Sequence, residues 1–415
     1  MVENRKSVFF YGYTIVVAAF FIEVLTWGMQ NTFGVFFIPL SNEFGWTRAM
    51  VSGAPSLLYF MVGLAGIFAG RLNDRFGPRL VMTLCGLFLG FGYLLMSQVN
   101  AIWQFYLFYG IIIALGMSGP DVSLLSTIAK WFVKKRGMMS GIIKAGAGVG
   151  MLVTPLAVNW LISTYEWRAS YIIIGLIALV FTILAAQFLK SNPSRMELLL
   201  DGDVVEVKKP QLPTSGLSLR EAIQARQFWL LGAVFFLFIF CTQTVMVHIY
   251  PHTIDLGVSS SVAANVLATI GGASIAGRFL MGSASDRIGT KLATIIDLII
   301  LVTSLLWLQV ASEAWMLYAF ATLYGFAHGG LFALVSPLIA ELFGLRSHGV
   351  IFGIIMFGGT TGGAIGPVLA GYIFDITSSY QLDFIVITSA SIIATLLTAM
   401  IKRKEYKHEL LEEAL

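Results

Sequence analysis

Twelve apolar runs, each about 20 residues long, limit most strongly how this chain can fold. A run of that length is what an α-helix needs to cross the hydrocarbon core of a bilayer. Backbone groups inside lipid must be satisfied within the protein, so each run is predicted to be a helix. The runs lie near 11–38, 49–70, 79–98, 101–129, 138–162, 169–190, 227–250, 260–283, 291–310, 314–341, 347–372 and 381–401. The sequence therefore predicts an all-α integral membrane protein with twelve transmembrane helices.

The composition agrees, because 57% of the residues are hydrophobic and only 12% are charged, against about 25% charged in soluble domains. Both cysteines, Cys85 and Cys241, fall inside apolar runs, so neither a disulfide framework nor a metal site is expected. The glycine-rich stretches 146–150 and 358–366 lack the strand-turn-helix context of a phosphate loop. We therefore expect no enzyme activity, no cofactor and no nucleic-acid partner.

One long polar connection at 191–226 separates the first six runs from the last six. We expect an N-terminal six-helix bundle at 1–190, a linker at 191–226 and a C-terminal six-helix bundle at 227–415. The distribution of basic residues predicts the orientation, because Lys and Arg accumulate on the cytoplasmic side.

With a cytoplasmic N-terminus, all but four of the 26 Lys and Arg residues lie in inner segments. Two of the four, Arg48 and Arg168, are in outer loops, and Lys144 and Arg278 lie within spans. We expect a multi-pass protein of the cell membrane with both termini and the linker in the cytoplasm.

A ten-residue pattern, G-x-x-x-D-R-x-G-x-[RK], occurs once in each half, after the second apolar run and again after the eighth. Its members are Gly70, Asp74, Arg75 and Gly77 in the first copy and Gly282, Asp286, Arg287 and Gly289 in the second. Repeats of this kind are typical of transporters built from two related halves. We interpret both copies as cytoplasmic loops whose Asp and Arg side chains latch the two halves together in one conformation.

On this motif the sequence resembles the major facilitator superfamily over its whole length. Four shorter segments resemble the monocarboxylate and oxalate/formate branch: 34–37 (GVFF) with 43–48 (EFGWTR), 131–141 (WFVKKRGMMSG) with 145–146, 226–229 (RQFW) and 278–282 (RFLMG). The resemblance implies two pseudo-symmetric six-helix bundles and secondary transport by alternating access.

In the resembling branch, an arginine at the position of Arg278 binds the substrate carboxylate. A guanidinium can hold a carboxylate by two parallel hydrogen bonds, which fits this role. The proton-coupled carriers often have an Asp where this chain has Ser274, and their span-one lysine aligns with Asn31. The span-eleven stretch 357–367 lacks the second basic residue of oxalate carriers. These departures argue against a site for a dianion and leave the proton acceptor open.

Two further charges inside the spans, Asp121 and Lys144, are predicted to pair. They lie at similar depths from one shared connection, counted at about 1.5 Å per residue, and a buried pair costs less than either charge alone. The pair either ties spans four and five together or faces the cavity, where it would hold substrate or gate protons.

Glu23 lies about ten residues into the first run, and we expect a lone carboxylate at that depth to be protonated and to be a candidate for proton coupling. His328 and Tyr324 belong to a span that lines the cavity in the resembling fold. His328 exchanges protons readily or is a neutral core residue. Asp297 is expected to lie near a helix end and to be structural.

The sequence-based hypothesis is a secondary carrier of small organic anions, most consistent with monocarboxylates, working by proton symport or anion exchange. Its candidate substrate-binding residues are Arg278, Asn31, Lys144, Asp121, His328 and Tyr324, and its proton-coupling candidates are Glu23, Asp121 and His328. The expected partners are the substrate anion, a proton or counter-anion and the lipid bilayer, with the monomer as the functional unit. Efflux of amphipathic compounds and a non-transporting nutrient receptor are the alternatives.

Overall fold

A computed structural model describes residues 11–132, 136–191, 216–344 and 346–402. Within these residues the chain is helical or in turns, apart from one isolated antiparallel bridge between Gly216 and Gly344. Both chain ends and most of the predicted linker lie outside the described residues. The all-α prediction is confirmed.

Among the described residues, eleven helical stretches are long and apolar enough to cross a membrane. The longest, Arg136–Gln187, is two spans, because Glu166 has φ 65° and ψ 168° and interrupts the helix. The described residues therefore contain the twelve expected spans, numbered here one to twelve. They are Gly12–Phe44, Arg48–Phe76, Pro78–Met96, Ile102–Ile128, Arg136–Gln187 (spans five and six), Arg226–Asp255, Ser260–Ile288, Thr290–Leu308, Ala314–Phe343, His348–Thr377 and Gln381–Met400.

Two spans are segmented where the backbone bends. Span one consists of the helices Gly12–Asn31 and Phe33–Phe44. Span four contains a π-helical segment and restarts after Gly119 as the helix Pro120–Trp131, with proline at its first position, where a missing N–H costs nothing. A short helix, Leu219–Gln224, precedes span seven.

Successive spans are joined by short connections, so they alternate in direction and the bundle has two ends. We call the end at which the linker joins span seven the linker side, and the opposite end the far side. Spans end at the linker side at Phe76, Ile288 and Phe343 and at the far side at Phe44, Met96, Asp255, Leu308 and Thr377.

The two halves meet along a seam where span one faces span seven, span two faces span eleven and span five faces span eight. Glycine makes the approach close enough for backbone contact. A Cβ added to Gly271 of span eight would overlap the backbone of Met151 in span five. A Cβ on Gly371 of span eleven would lie 2.7 Å from the backbone nitrogen of Ala49 in span two. Small residues serve helix packing in membranes in this way.

Toward the linker side the same spans separate. A Cβ added to Gly141 of span five, Gly282 of span eight or Gly353 of span eleven would meet no atom within 4 Å. Each of these glycines lies on the linker side of a contact made by its own span, such as that of Gly148 with Ile275. The seam is therefore closed at the far side and open at the linker side.

The duplicated motif is mostly helical, which corrects the interpretation of both copies as loops. Residues 70–76 form the last turns of span two, and residues 282–288 form those of span eight. Each helix ends at a glycine with positive φ, 85° at Gly77 and 84° at Gly289, a region that side chains with a Cβ avoid. The expectation of loops failed because polar residues at a membrane surface continue a helix as readily as they end it.

The two halves also share a packing contact deeper in each bundle. A Cβ on Gly119 of span four would lie 2.5 Å from Sγ of Cys85, eight residues after Gly77. A Cβ on Gly330 of span ten would lie 2.6 Å from the carboxylate of Asp297, eight residues after Gly289. Asp297 is thus fully buried within span nine, not near a helix end. Its packing against span ten is consistent with a structural role.

Gly329 tests the close crossing of spans eight and ten. An added Cβ would overlap the carbonyl oxygen of Ser274, so we expect Gly329→Ala to destabilise the protein by about 1–3 kcal/mol, as overpacking generally does. The measurement is the thermal unfolding temperature of the purified protein. Gly353→Ala is the matched control, since its Cβ meets open space and alanine favours the helix by about 1 kcal/mol. Equal unfolding temperatures for the two variants would contradict this account of the crossing.

Candidate functional site

A cluster of charges lies between spans one, four and five. The Lys144 ammonium is 3.2 Å and 3.3 Å from the two carboxylate oxygens of Glu23. It also contacts the carboxylate of Asp121. The contact between Asp121 and Lys144 that their matching depths predicted is therefore present. One lysine contacts two carboxylates from two other spans, which compensates part of their desolvation cost.

Glu23 was expected to be a lone carboxylate, and the structure corrects this. It is fully buried, but its carboxylate faces Lys144. Counting residues from a connection gives the relative depth of two side chains only when their spans share that connection. Glu23 and Lys144 are 121 residues apart and lie on spans that do not, so their contact could not be predicted in this way.

Local structure explains why the chain tolerates a charge at Asp121. This residue lies in the first turn of the helix Pro120–Trp131, where unpaired N–H groups and the helix dipole favour a negative charge. The indole N–H of Trp27 in span one donates to the same carboxylate at 3.3 Å. The Lys144 ammonium lies 5.9 Å from the centre of the Trp27 ring. Trp27 therefore contacts both members of the pair. No sequence pattern pointed to this residue.

Arg278 brings the C-terminal half to this cluster. One of its guanidinium N–H groups donates to the backbone carbonyl of Lys144 at 3.0 Å. Within the part of the chain that the structure describes, Arg278 has no ion-pair partner. Arg278 therefore crosses the seam to Lys144 but contacts only a neutral oxygen there.

The cluster is accessible. The side chain of Asp121 is 47% exposed and that of Lys144 is 30% exposed, although both lie deep within their spans. Arg278 is half-buried. These partly exposed side chains lie along the seam that is open on the linker side.

The other predicted site residues make no ion pair or hydrogen bond with the four charged side chains of the cluster among the described residues. Asn31 is buried and donates its side-chain amide to the carbonyl of Trp27 on its own helix. The Tyr324 hydroxyl donates to the backbone carbonyl of Thr242 at 2.8 Å. His328 is buried between Tyr324 and Phe332, with Nδ1 unpartnered among the described residues. The structure thus brings together Glu23, Asp121, Lys144 and Arg278, while the other three line separate interior positions.

A second polar group at the seam escaped the sequence analysis. The side-chain amide of Gln30 in span one donates to the Tyr59 hydroxyl in span two. Tyr59 also packs against span eleven, as does Gln243 of span seven. A Cβ added to Gly363 of span eleven would lie 3.5 Å from Tyr59 and 3.1 Å from Gln243. Neutral amides carry no charge signal, but Gln30 is seven residues from Glu23 and so on the same helical face, which was the available clue.

The duplicated motif lies at the open, linker side. Asp74, Arg75 and Gly77 line a small cleft at that end of the N-terminal half. Asn73 is buried and donates to Ser126 of span four at 3.0 Å. Asp286 and Arg287 occupy the equivalent end of span eight. Among the described residues there is no group of three or more His, Cys, Asp or Glu side chains arranged to hold a metal ion.

The sequence is similar to known transporters over most of its length. It is 25% identical over 378 residues to "Monocarboxylate transporter 13" of Rattus norvegicus, covering 91% of this chain and 85% of that protein. It is 26% identical over 388 residues to "Monocarboxylate transporter 11" of Homo sapiens, covering 90% of this chain and 79% of that protein. It is 25% identical over 353 residues to "Uncharacterized MFS-type transporter YhjX" of Escherichia coli strain K12, covering 83% of each.

The fold matches a solved structure of a bacterial homologue of the human lysosomal transporter Spinster, in an inward-facing and unoccupied conformation. The TM-score is 0.72 and the sequence identity 17%, with 94% of this chain and 96% of that chain covered. The sequence profile of the Major Facilitator Superfamily matches residues 16–278 and 249–414. This match spans nearly the whole chain, and the chain belongs to the major facilitator superfamily.

Proposed function

We propose that this transporter carries small monocarboxylates by alternating access, coupled to a proton or to an exchanged anion. The observation that carries the proposal is the half-buried guanidinium of Arg278, which crosses the seam to Lys144 and has no ion-pair partner among the described residues. A charged group at this depth is costly without a partner, and a visiting carboxylate supplies the opposite charge and the matching fork geometry.

The charges of the cluster favour an anion with a single negative charge. Lys144 is already engaged by Glu23 and Asp121, so Arg278 is the cation left for a ligand. A dianion would leave the site two negative charges in excess, against one for a monoanion, and uncompensated charge is costly at low dielectric. The relatives named as monocarboxylate transporters support the same substrate class.

Coupling follows from the same balance. With Glu23, Asp121, Lys144 and Arg278 all ionised, the site is neutral, so a bound monoanion leaves it one negative charge in excess. A proton on Glu23 or Asp121 restores neutrality, and so does the departure of another anion. Both carboxylates share Lys144 with the anion site, which favours them over His328 as the proton carrier.

The duplicated motif supports a cycle in which the linker side closes. When the halves rock together there, the ends of spans two and eight that carry Asp74 and Asp286 approach the opposite half. Their carboxylates and the neighbouring arginines, Arg75 and Arg287, can then pair with helix ends across the seam. Such contacts would hold the conformation opposite to the one observed.

Arg278 provides the first test of this function. We expect Arg278→Ala to weaken binding of a small monocarboxylate at least about tenfold, since charge-assisted hydrogen bonds contribute about 1.5–3 kcal/mol. Arg278→Lys should recover little, because an ammonium cannot reproduce the fork. Thermal-shift titrations with organic acids, amines and amphipathic drugs measure the effect, since a ligand stabilises the state that it binds.

Arg346→Ala is the matched control, because Arg346 is exposed on the linker side between spans ten and eleven. It should bind the anion as the wild type does. Wild-type affinity in Arg278→Ala would show that the arginine is structural. A screen in which only cationic or neutral amphipathic compounds bind would favour efflux instead.

Neutralising a central carboxylate tests the coupling. In the wild type we expect uptake to rise as the external pH falls, because a proton accompanies the anion. Glu23→Gln or Asp121→Asn should flatten this pH profile, measured as initial uptake rates in cells or proteoliposomes. Glu43→Gln is the control, since Glu43 belongs to the same span as Glu23 but pairs with Arg168 at the far side, 2.7 Å away. A wild-type profile without pH dependence would leave anion exchange as the mechanism.

Orientation is tested with single cysteines in a background in which Cys85 and Cys241 are replaced by serine. We propose that the linker side, where the seam is open, faces the cytoplasm. Both termini and the segment that connects the two bundles would then be cytoplasmic. Gln98→Cys on the far side should react with a membrane-impermeant maleimide in intact cells, and Gln224→Cys on the linker side should react only after permeabilisation. Both glutamines are exposed. The reverse labelling pattern would invert the proposed orientation.

A further inference from the structure

The far side of the seam is held by contacts around Arg48, at the start of span two. Its guanidinium lies 2.7 Å from the carboxylate of Asp255 at the end of span seven. It also donates to the Tyr380 hydroxyl at 2.5 Å and lies 3.7 Å from the centre of the Phe374 ring. All three partners belong to the C-terminal half, so one side chain of the N-terminal half binds three elements of the other.

Asp375 of span eleven connects the halves through the backbone of span two. Its carboxylate accepts the backbone N–H groups of Arg48 and Ala49, at 2.8 Å and 2.9 Å. These are among the N–H groups that a helix leaves unpaired at its start. The C-terminal half thus caps a helix of the N-terminal half, and separation of the halves would leave that helix end without its acceptor.

His248 of span seven completes this network, and its partners define its protonation. Nε2 lies 2.8 Å from the carbonyl oxygen of Pro367, which can only accept, so Nε2 carries a hydrogen. The same N–H reaches Ser52 of span two at 3.1 Å, and the Ser52 hydroxyl itself donates to the Arg48 carbonyl. Nδ1 lies 2.9 Å from the Tyr380 hydroxyl. With Tyr380 accepting from Arg48, we assign the Tyr380 hydrogen to the contact with Nδ1, which makes the imidazole neutral.

We propose that Arg48, Asp255, Asp375, Tyr380 and His248 form an acid-sensitive gate on the far side, which opens when His248 takes up a proton. A second hydrogen on the imidazole would sit on Nδ1, where Tyr380 already donates. Tyr380 can then no longer donate to Nδ1, so its hydroxyl must accept from both cations, Arg48 and His248, or turn away from one of them. Such a gate would control opening of the far side, whatever substrate the protein carries.

The groups that surround His248 do not offer a place for the added charge. Arg48 on span two is a cation held by the same tyrosine, so protonation places two positive charges around one hydroxyl. Asp255 and Asp375 are the acids of this network, and both are already engaged, Asp255 by the Arg48 guanidinium and Asp375 by backbone N–H groups of span two. On span twelve, Asp383 lies three residues after Tyr380 and is fully buried, with no hydrogen-bond partner for its carboxylate among the described residues. The remaining neighbours carry no fixed charge: Phe37 of span one at 5.4 Å between ring centres, Ser52 and the Pro367 carbonyl. A second histidine on the same helix, His252, packs on Tyr380.

Opening relieves this conflict, because a seam that has parted admits water to the imidazole. A histidine in water has a pKa of about 6.5, so it takes up a proton between pH 7.5 and 5.5. A state that binds the proton is favoured over one that excludes it as the pH falls. For one such histidine the ratio of far-side-open to far-side-closed molecules should rise about tenfold between pH 7.5 and 5.5.

Spin labels across the far side measure this ratio in the full-length protein in nanodiscs. One label at Gln98 follows the N-terminal half, and one at Val310 follows the C-terminal half. Both positions are exposed at the far side. Electron-electron distance distributions at pH 7.5 and 5.5, without substrate, give the populations of short and long distances. We expect the long-distance population to grow on acidification in the wild type.

Three variants identify the group responsible. His248→Gln keeps a donor for Pro367 and an acceptor for Tyr380 but cannot titrate, so its distances should not respond to pH. Tyr380→Phe removes the donor to Nδ1 and should reduce the response. His252→Gln is the matched control, one turn away on span seven, where the structure gives its ring contacts with Tyr380 and Phe384; it should respond as the wild type does.

The outcomes are distinct. An unchanged distance distribution in the wild type between the two pH values would overturn the proposal. So would an equal response in His248→Gln, because the titrating group would then lie elsewhere, for example at Glu23 or Asp121. A response lost in His252→Gln but kept in His248→Gln would assign the effect to the wrong histidine and would also overturn it.

Discussion

The structure depends on the neutralisation of charge inside an apolar bundle. Lys144 is the central element of this arrangement, since its ammonium contacts carboxylates from spans one and four while its helix, span five, forms the seam. Without the lysine, Glu23 and Asp121 would be two like charges close together, and without either acid the lysine would be a costly cation. The pairing fixes spans one, four and five as one unit and leaves the cation of the opposite half, Arg278, free of an ion pair among the described residues.

Closure at one end and opening at the other follow from where the seam places its bonds. On the far side, hydrogen bonds and ion pairs from Arg48 and His248 cross between the halves. In the middle, glycines such as Gly271 let backbones touch, which provides contact area without interlocking side chains. This arrangement is suited to a rocking motion of the two halves. Opening the far side breaks a few hydrogen bonds and ion pairs, while the central helix surfaces can move past each other.

The sequence predicted the fold well because its signals were local. Runs of apolar residues, basic residues at their ends and the repeated motif needed no knowledge of distant contacts. The pair of Asp121 and Lys144 was predictable because a shared connection sets their depths. Glu23 was misjudged as a lone acid, since its partner lies in a span whose depth relative to span one is set by packing. The far-side network was missed because Arg48 meets residues that are 207, 327 and 332 positions away in the chain.

The repeat conserves the packing of the two halves but not their chemistry. Cys85 and Asp297 occupy matching positions against Gly119 and Gly330. Two residues after each of these glycines the halves differ, with the acid Asp121 in one and Phe332 in the other.

Span five and span eleven differ in the same way. Lys144 lies eleven residues before Pro155, and Met356 lies eleven before Pro367. Conversely, Arg278 lies four residues before the motif glycine of span eight, where span two has Gly66. The N-terminal half therefore supplies two acids that share one lysine, with one negative charge in excess when all three are ionised. The C-terminal half supplies one cation that faces them. Because the two contributions lie on opposite sides of the seam, a ligand bound by Arg278 next to Lys144 would touch both halves, and its binding energy would depend on how the halves are arranged. This dependence on arrangement is the condition for a ligand to drive a conformational change.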